Sequence, residues 1–244
     1  MSNLKFVFLI IILKFALICL GQKGNTQQTK NDYLVSIINN QVDSILESDF
    51  TLKNGRVYTY KFTRAKGHPF FGTKKWSDGR LILKKNVYYN IPLMFDLDIN
   101  GPICLIKTEN NEEHIIIPNK YNVKSFNIDQ HCFLNCCSLP FLPQDGFYEV
   151  VHDGKNLKVY IKWSKQYENH SVGKYSGYFN KQRPTFYVLL KGKVYKIKSE
   201  KNLYELFNHQ KKTIKSFIKK HKIKLNSSEQ VDVKEFFKYL ETQI

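Results

Sequence analysis

Phe147-Tyr148-Glu149-Val150-Val151-His152-Asp153-Gly154-Lys155-Asn156-Leu157-Lys158-Val159-Tyr160-Ile161-Lys162-Trp163 spells out a β-hairpin. Phe147 to Val151 leads into the turn, and Leu157 to Trp163 leads out. Leu157, Val159, Ile161 and Trp163 alternate with Lys158, Tyr160 and Lys162, which is the period of two of a strand with one buried and one wet face. Asp153-Gly154 suits the positive φ angles of a tight hairpin turn. His152, beside that turn, is expected at the surface.

Working outward, Thr185 to Leu190 and Val194 to Lys198 form a second hairpin through Lys191-Gly192-Lys193. Gln166 to Gln182, polar and holding Gly173 and Gly177, reads as a mobile loop between the two. Upstream, short apolar runs cover Arg80 to Lys84, Val87 to Tyr89, Ile91 to Leu97, Ile103 to Lys107 and His114 to Ile117. Turn signals separate them at Ser77-Asp78-Gly79, Lys85-Asn86, Asp98 to Pro102 and Thr108 to Glu113. Before them, Tyr58, Tyr60 and Phe62 alternate with Val57, Thr59 and Lys61, a strand with one aromatic face. Short strands with tight turns predict a mainly β (α+β) fold, an antiparallel meander forming a sandwich or a partly open barrel.

Helices are expected at both ends of this β region. Leu34, Ile37, Ile38, Val42, Ile45 and Leu46 recur at steps of three and four, one apolar face of an N-terminal helix over about 32–47. Leu203, Leu206 and Phe207, then Ile214, Phe217 and Ile218, mark two helical segments or one bent helix. Ser227 and Gln230 have the spacing of a capping box, opening a last helix with Val231, Val233, Phe236, Phe237 and Leu240 on it. The division is then 1–21 leader, 22–31 polar segment, 32–198 helix plus β-rich domain, and 199–244 helical tail packed on that domain.

The leader has the layout of a secretory signal peptide: Lys5, the apolar run Phe6 to Leu13, a second run Phe15 to Leu20, and small residues at the end of Cys19-Leu20-Gly21. A spanning helix needs roughly 20 apolar residues, and Lys14 interrupts this stretch. Ile18 before Cys19 does not fit a lipoprotein signal. Cleavage before Gln22 and export to the periplasm, the outer membrane or the medium are the expectation.

Lys and Arg number 38 against 21 acidic residues, a net +17, of which +15 remains once Lys5 and Lys14 leave with the leader. Such a charge attracts nucleic acid, anionic lipid or acidic polysaccharide. Arg56, Arg64, Arg80 and Arg183 are the four arginines among many lysines. Phosphate-reading grooves favour the arginine fork, so nucleic acid is not expected. The joint richness in Lys, Asn, Ile, Phe and Tyr points to an AT-rich genome as one source of the charge. Cys104, Cys132, Cys136 and Cys137 remain after cleavage, with three pairings open to them in an oxidising compartment. His131-Cys132 with Cys136-Cys137 matches no common zinc spacing, and no metal or cofactor is expected.

Two surfaces stand out as candidate binding sites. Lys211, Lys215, Lys219 and Lys222 advance by four, four and three along one helix side, widened by Lys212 and Lys220, with Ile214, Phe217 and Ile218 facing away. Such a row suits anionic lipid or surface polymer. In the loop Gly67-His68-Pro69-Phe70-Phe71-Gly72, His68, Phe70 and Phe71 are expected to frame a cleft with Trp76, the place where a secreted hydrolase would carry its site. No nucleophile elbow, paired-carboxylate, calcium-loop or phosphate-cradling motif is present.

Several segments carry a resemblance: Gly67-His68-Pro69-Phe70-Phe71, Trp76 with Asp78-Gly79, and Tyr89-Asn90-Ile91-Pro92-Leu93 with Phe95-Asp96. Gly146-Phe147-Tyr148-Glu149-Val150 with Asp153-Gly154-Lys155, and Phe236-Phe237-Lys238-Tyr239, complete it. The chain resembles uncharacterised exported β-rich proteins of Bacteroidetes. That resemblance implies a one-piece exported fold and transfers no catalytic residue. The expected role is a non-enzymatic, envelope-associated one, toward an envelope protein or an anionic surface polymer.

Overall fold

A computed structural model describes Leu52 and residues 55–108, 110–225 and 231–244. The leader, the 22–31 segment, the helix expected over 32–47 and the Ser227–Gln230 box lie outside the described residues.

The first meander runs through β1 (Arg56–Val57), β3 (Ser77–Leu83), β4 (Asn86–Asp96), β5 (Gly101–Lys107) and β6 (Glu113–Ile117), with the short β2 (Ala65–Lys66) standing apart. The second comprises β7 (Val123–Ile128), β8 (His131–Asn135), β9 (Phe147–Asp153) and β10 (Leu157–Ser164). After β11 (Tyr167–Glu168) and β12 (Gly177–Phe179) come β13 (Arg183–Leu190) and β14 (Lys193–Ile197). Three helices follow: α1 (Glu200–Leu206), α2 (Lys211–His221) and α3 (Val231–Glu241). Eleven strands make one antiparallel sheet in the order β1-β6-β5-β4-β3-β7-β8-β9-β10-β13-β14, and β1 and β14 end it unpaired with each other, so it is not a closed barrel. Among the described residues no helix is long and apolar enough to cross a membrane.

Alternation along the strands decides which side chains meet. Leu93 and Phe95 on β4, and Leu97 just past its end, enter the main core, while Met94 points to the opposite face with Phe70 and Ile103. On β10, Leu157, Val159, Ile161 and Trp163 join the main core as their period requires, and Tyr160 packs on the other face with Tyr148, Tyr187 and Leu142. The helices close the main core: Leu203, Ile214, Ile218, Val233, Phe236, Phe237 and Leu240 are buried against the strands. The tail and the sheet therefore share one hydrophobic core, and Ser199 caps α1 by accepting the Asn202 N–H.

The sheet bends strongly at one end. In a flat sheet, β4 and β10 would lie five strand spacings apart, roughly 24 Å. Yet the Phe71 ring is 6.3 Å from Phe95 on β4 and 5.3 Å from Trp163 on β10. Phe71 N–H donates to Phe95 O at 2.8 Å and Leu97 N–H to Pro69 O at 3.1 Å, so residues 69–71 continue the sheet beside the end of β4.

Several expectations need correcting. The Lys191-Gly192 turn has positive φ at both residues (50° and 75°), as a two-residue hairpin demands, but the Asp153-Gly154 turn has none. Gly154 instead leaves room for the Glu241 carboxylate, which a Cβ there would displace. His152 is not at the surface either, because Glu241 covers it. Ser77-Asp78-Gly79 is not a turn but the start of β3, where the register slips between Gly79 and Leu81. Gln166 to Gln182 is not a bare loop. It holds β11 and β12, which pair with each other, and β12 pairs in parallel with β2, around the rings of Phe62, Tyr167 and Phe179. The strand expected over 57–62 is reduced to β1, though Tyr58 and Tyr60 do share a side against Phe70.

Candidate functional site

His68, Phe70, Phe71 and Trp76 do not frame one cleft. Phe70 is 1% exposed and packs on the outer face with Met94 and Ile103, where Trp76 joins the same cluster. Phe71, its neighbour, turns to the helix-covered face. This is the pleat at work: adjacent residues in extended chain point to opposite sides. His68 stacks on Phe70 at 5.8 Å. Lys165, just after β10, donates to the carbonyl oxygens of Phe70 and, at 3.3 Å, of His68. Burial lowers the Lys165 amine to about 8. Burial and the nearby cations Lys165 and Lys74 lower the His68 imidazole. The loop is thus a clasp holding the bent end of the sheet together.

A histidine–carboxylate pair does form, from residues singled out for other reasons. Glu149 on β9 shares the helix-covered face with Phe147 and Val151 and is fully buried. Its Oε1 lies 2.7 Å from His131 Nδ1 on β8, and its Oε2 accepts the Trp163 indole N–H from β10 at 2.6 Å. Phe71 lies edge-on to His131 at 4.9 Å. Both carboxylate oxygens are engaged inside the aromatic core, where Phe95, Phe126, Phe133 and Phe147 touch ring to ring. A second pair joins His152 Nε2 to Glu241 Oε2 at 2.6 Å. Neither pair lines any of the four surface clefts that can be described.

The residues of the imagined metal cluster separate. His131 turns to the core, whereas Cys136 and Cys137 sit in a 3-10 turn capped by the Asn135 side chain. Cys104, Cys132, Cys136 and Cys137 are all free thiols, and burial raises the first three above their ordinary range. Among the described residues no three His, Cys, Asp or Glu side chains converge as a metal site.

Of the four lysines expected along one helix side, Lys211, Lys215 and Lys219 lie on α2, and Lys222 follows its end as a left-handed cap with φ 52°. Lys211, Lys215, Lys219 and Lys222 are exposed, as are Lys212, Lys220 and Lys224, while Ile214 and Ile218 are buried on the adjoining face of α2, three positions on from Lys211 and Lys215. Phe217 lies half-buried between, stacked on Tyr239 at 4.5 Å and on His221 at 4.2 Å. Lys215 Nζ stands 5.4 Å over the Tyr204 ring. Among the described residues none of these lysines is in an ion pair.

No protein-family model matches this chain, and neither a curated protein nor a solved structure matches it.

Proposed function

We propose that this is an exported, envelope-associated protein with a non-enzymatic binding role, docking on an anionic surface through the lysine row of α2. The observation that carries this reading is the row itself: Lys211, Lys215 and Lys219 exposed along α2 and Lys222 just past its end, none in an ion pair among the described residues, on a helix anchored by Ile214 and Ile218. In the same reading the sheet is a partly open barrel curled around a core of aromatic side chains and helices, with Phe71 drawing its bent end together. The filling of that interior supports binding at the surface over chemistry inside. The rival, a secreted hydrolase, would use His131 and Glu149, but burial of the carboxylate against Trp163 favours a structural part for that pair.

The test is co-sedimentation with vesicles containing phosphatidylglycerol. The protein sediments with them at low salt and is released as salt screens the lysines, whose field fades beyond about 8 Å at physiological ionic strength. The K211E/K215E/K219E variant sediments less; unchanged sedimentation overturns the lysine-row reading. Amino-terminal sequencing of the protein from its host tests export separately, and an intact Met1 on a cytosolic species would end that part.

A further inference from the structure

The far end of the β10–β13–β14 surface holds a cleft of about 510 Å³ that neither the lysine row nor the buried pairs touch. Three cations line it: Lys181, Arg183 and Lys198. Four neutral polar side chains, Ser164, Gln166, Asn180 and Thr185, complete the lining, and Pro184 is its one apolar member.

The walls are built rather than incidental. Gln166 and Asn180 form the base of the β11–β12 hairpin, closed by Asn180 N–H donating to Gln166 O at 2.9 Å. Arg183 and Ser164 are cross-strand partners at the ends of β13 and β10. Between Lys181 and Arg183, Gln182 is buried and accepts the Gly72 N–H at 2.8 Å, which ties the backbone carrying both cations to the clasp at the bent end. Lys198 lies one position beyond the Phe186–Ile197 pair of β13 and β14, beside Thr185. Among the described residues Lys181, Arg183 and Lys198 are in no ion pair. The carboxylate of Glu168, on β11, instead accepts from Asn180 at 3.0 Å.

Three like charges around one concave surface repel one another, and a bound anion relieves that repulsion. Arg183 offers the planar fork that pairs a carboxylate or phosphate with two parallel hydrogen bonds. With one apolar lining residue, the cleft gives no platform to an acyl chain or an aromatic ring. Its two hydroxyls and two amides both donate and accept, as a ligand rich in hydroxyls requires. The volume falls within the range of small-ligand sites. We propose that this cleft binds an anionic sugar, one or two rings carrying a carboxylate or phosphate, such as a unit of an acidic polysaccharide. The proposal rests on the binding reading above, for which it names a ligand class, but it does not depend on the lysine row.

Isothermal titration calorimetry of the whole protein with digalacturonate, glucose 6-phosphate, cellobiose and inorganic phosphate tests it. The sugar anions bind, digalacturonate or glucose 6-phosphate alone identifying the carboxylate or the phosphate as the preferred group, and neutral cellobiose gives no heat. Loss of two charge-assisted contacts in R183A/K198A weakens binding by about tenfold or more. Both positions are exposed, so the variant's urea midpoint stays near the wild-type value. K211E/K215E/K219E binds the sugar anions as the wild type does, which separates failure of the cleft from failure of the lysine row. The proposal is overturned if neither sugar anion binds at millimolar concentration, if R183A/K198A binds unchanged, or if inorganic phosphate binds as tightly as the sugar anions.

Discussion

Trp163 donates its indole N–H to Glu149 at 2.6 Å, inside a face of the sheet that is otherwise aromatic and aliphatic. With His131 on the other oxygen, three adjacent strands, β8, β9 and β10, are pinned through one carboxylate. Removing the acid strands the Trp163 N–H where water does not reach and takes the partner from His131, whose side chain is 28% exposed; a buried donor left unmade costs about 1–3 kcal/mol. Glu149→Ala therefore lowers stability by about 3 kcal/mol, read from urea denaturation. Glu149→Gln accepts from Trp163 and donates to a neutral His131 ring, and loses only about 1 kcal/mol. Equal losses in the two variants would show that packing volume, not hydrogen bonding, sets the cost.

The strand that carries Glu149 was readable; its role was not. Phe147, Glu149 and Val151 share a face by alternation, so an acid between two apolar neighbours was the available signal, and a wet strand position explains it as easily. His131 lies on β8, which with β7 escaped notice because the turn between them is Asp129-Gln130. Asp129 takes φ 51° there without a glycine to mark it. Phe70 and Phe71 stand together in sequence, but opposite sides of the pleat separate them, and only the bend of the sheet brings Phe71 to Trp163. The anion cleft joins residues from the β10 end, the β11–β12 base and the β13–β14 end. No local spacing carries such a site. The exposure of Lys211, Lys215 and Lys219, by contrast, is a property of one helix and follows from helical periodicity, whereas the left-handed cap at Lys222 has no glycine to mark it.

Gly79 is where reading composition alone misled. Asp-Gly suggested a turn, whereas Gly79 lies within β3 because its neighbours come too close for a side chain. A Cβ there would overlap Asn127 O and the Leu93 side chain. Gly79→Ala is expected to destabilise by about 2 kcal/mol, the scale of overpacking a filled interior. Gly192→Ala offers a comparison: nothing lies within 4 Å of its Cβ, but its φ of 75° makes the penalty conformational. Thermal denaturation of both separates the two causes: Leu93→Ala relieves part of the Gly79→Ala penalty, the overlap with the backbone Asn127 O remaining, and leaves the Gly192→Ala penalty unchanged.

Glu241 ties the end of α3 to the β9–β10 hairpin. Its carboxylate accepts the Asn156 N–H at 2.8 Å and the Leu157 N–H at 3.2 Å and meets His152 at 2.6 Å. The Asn156 bond and then His152 hold it below its ordinary value of 4.5. A folded-state value below the unfolded one adds stability above pH 4.5, and that stability fades as pH falls through the folded value. Glu241→Gln is therefore less stable than wild type above pH 4.5, and the gap closes as pH falls below it. Urea midpoints across that range test the tie; a gap independent of pH would mean the carboxylate's charge has no part in it.

Lys165 predicts a slope of the same sign on the alkaline side. Burial lowers its amine from 10.5 to about 8, even though Asp96 pulls the other way. Between those values the unfolded chain holds a proton that the folded one has released, so stability rises with pH. Neutral amine still donates to the Phe70 and His68 carbonyls, so the clasp survives deprotonation. Buried thiols such as Cys104 and Cys132, raised above 9.0, work against the rise once free thiols ionise in the unfolded chain. The clean window therefore lies from about pH 8 to about pH 9. Across it the wild-type urea midpoint climbs relative to that of Lys165→Met, which has no proton to release. Parallel curves for the two proteins would mean that the amine is solvated, and that the bent end of the sheet is held by Phe71 and its ring contacts instead.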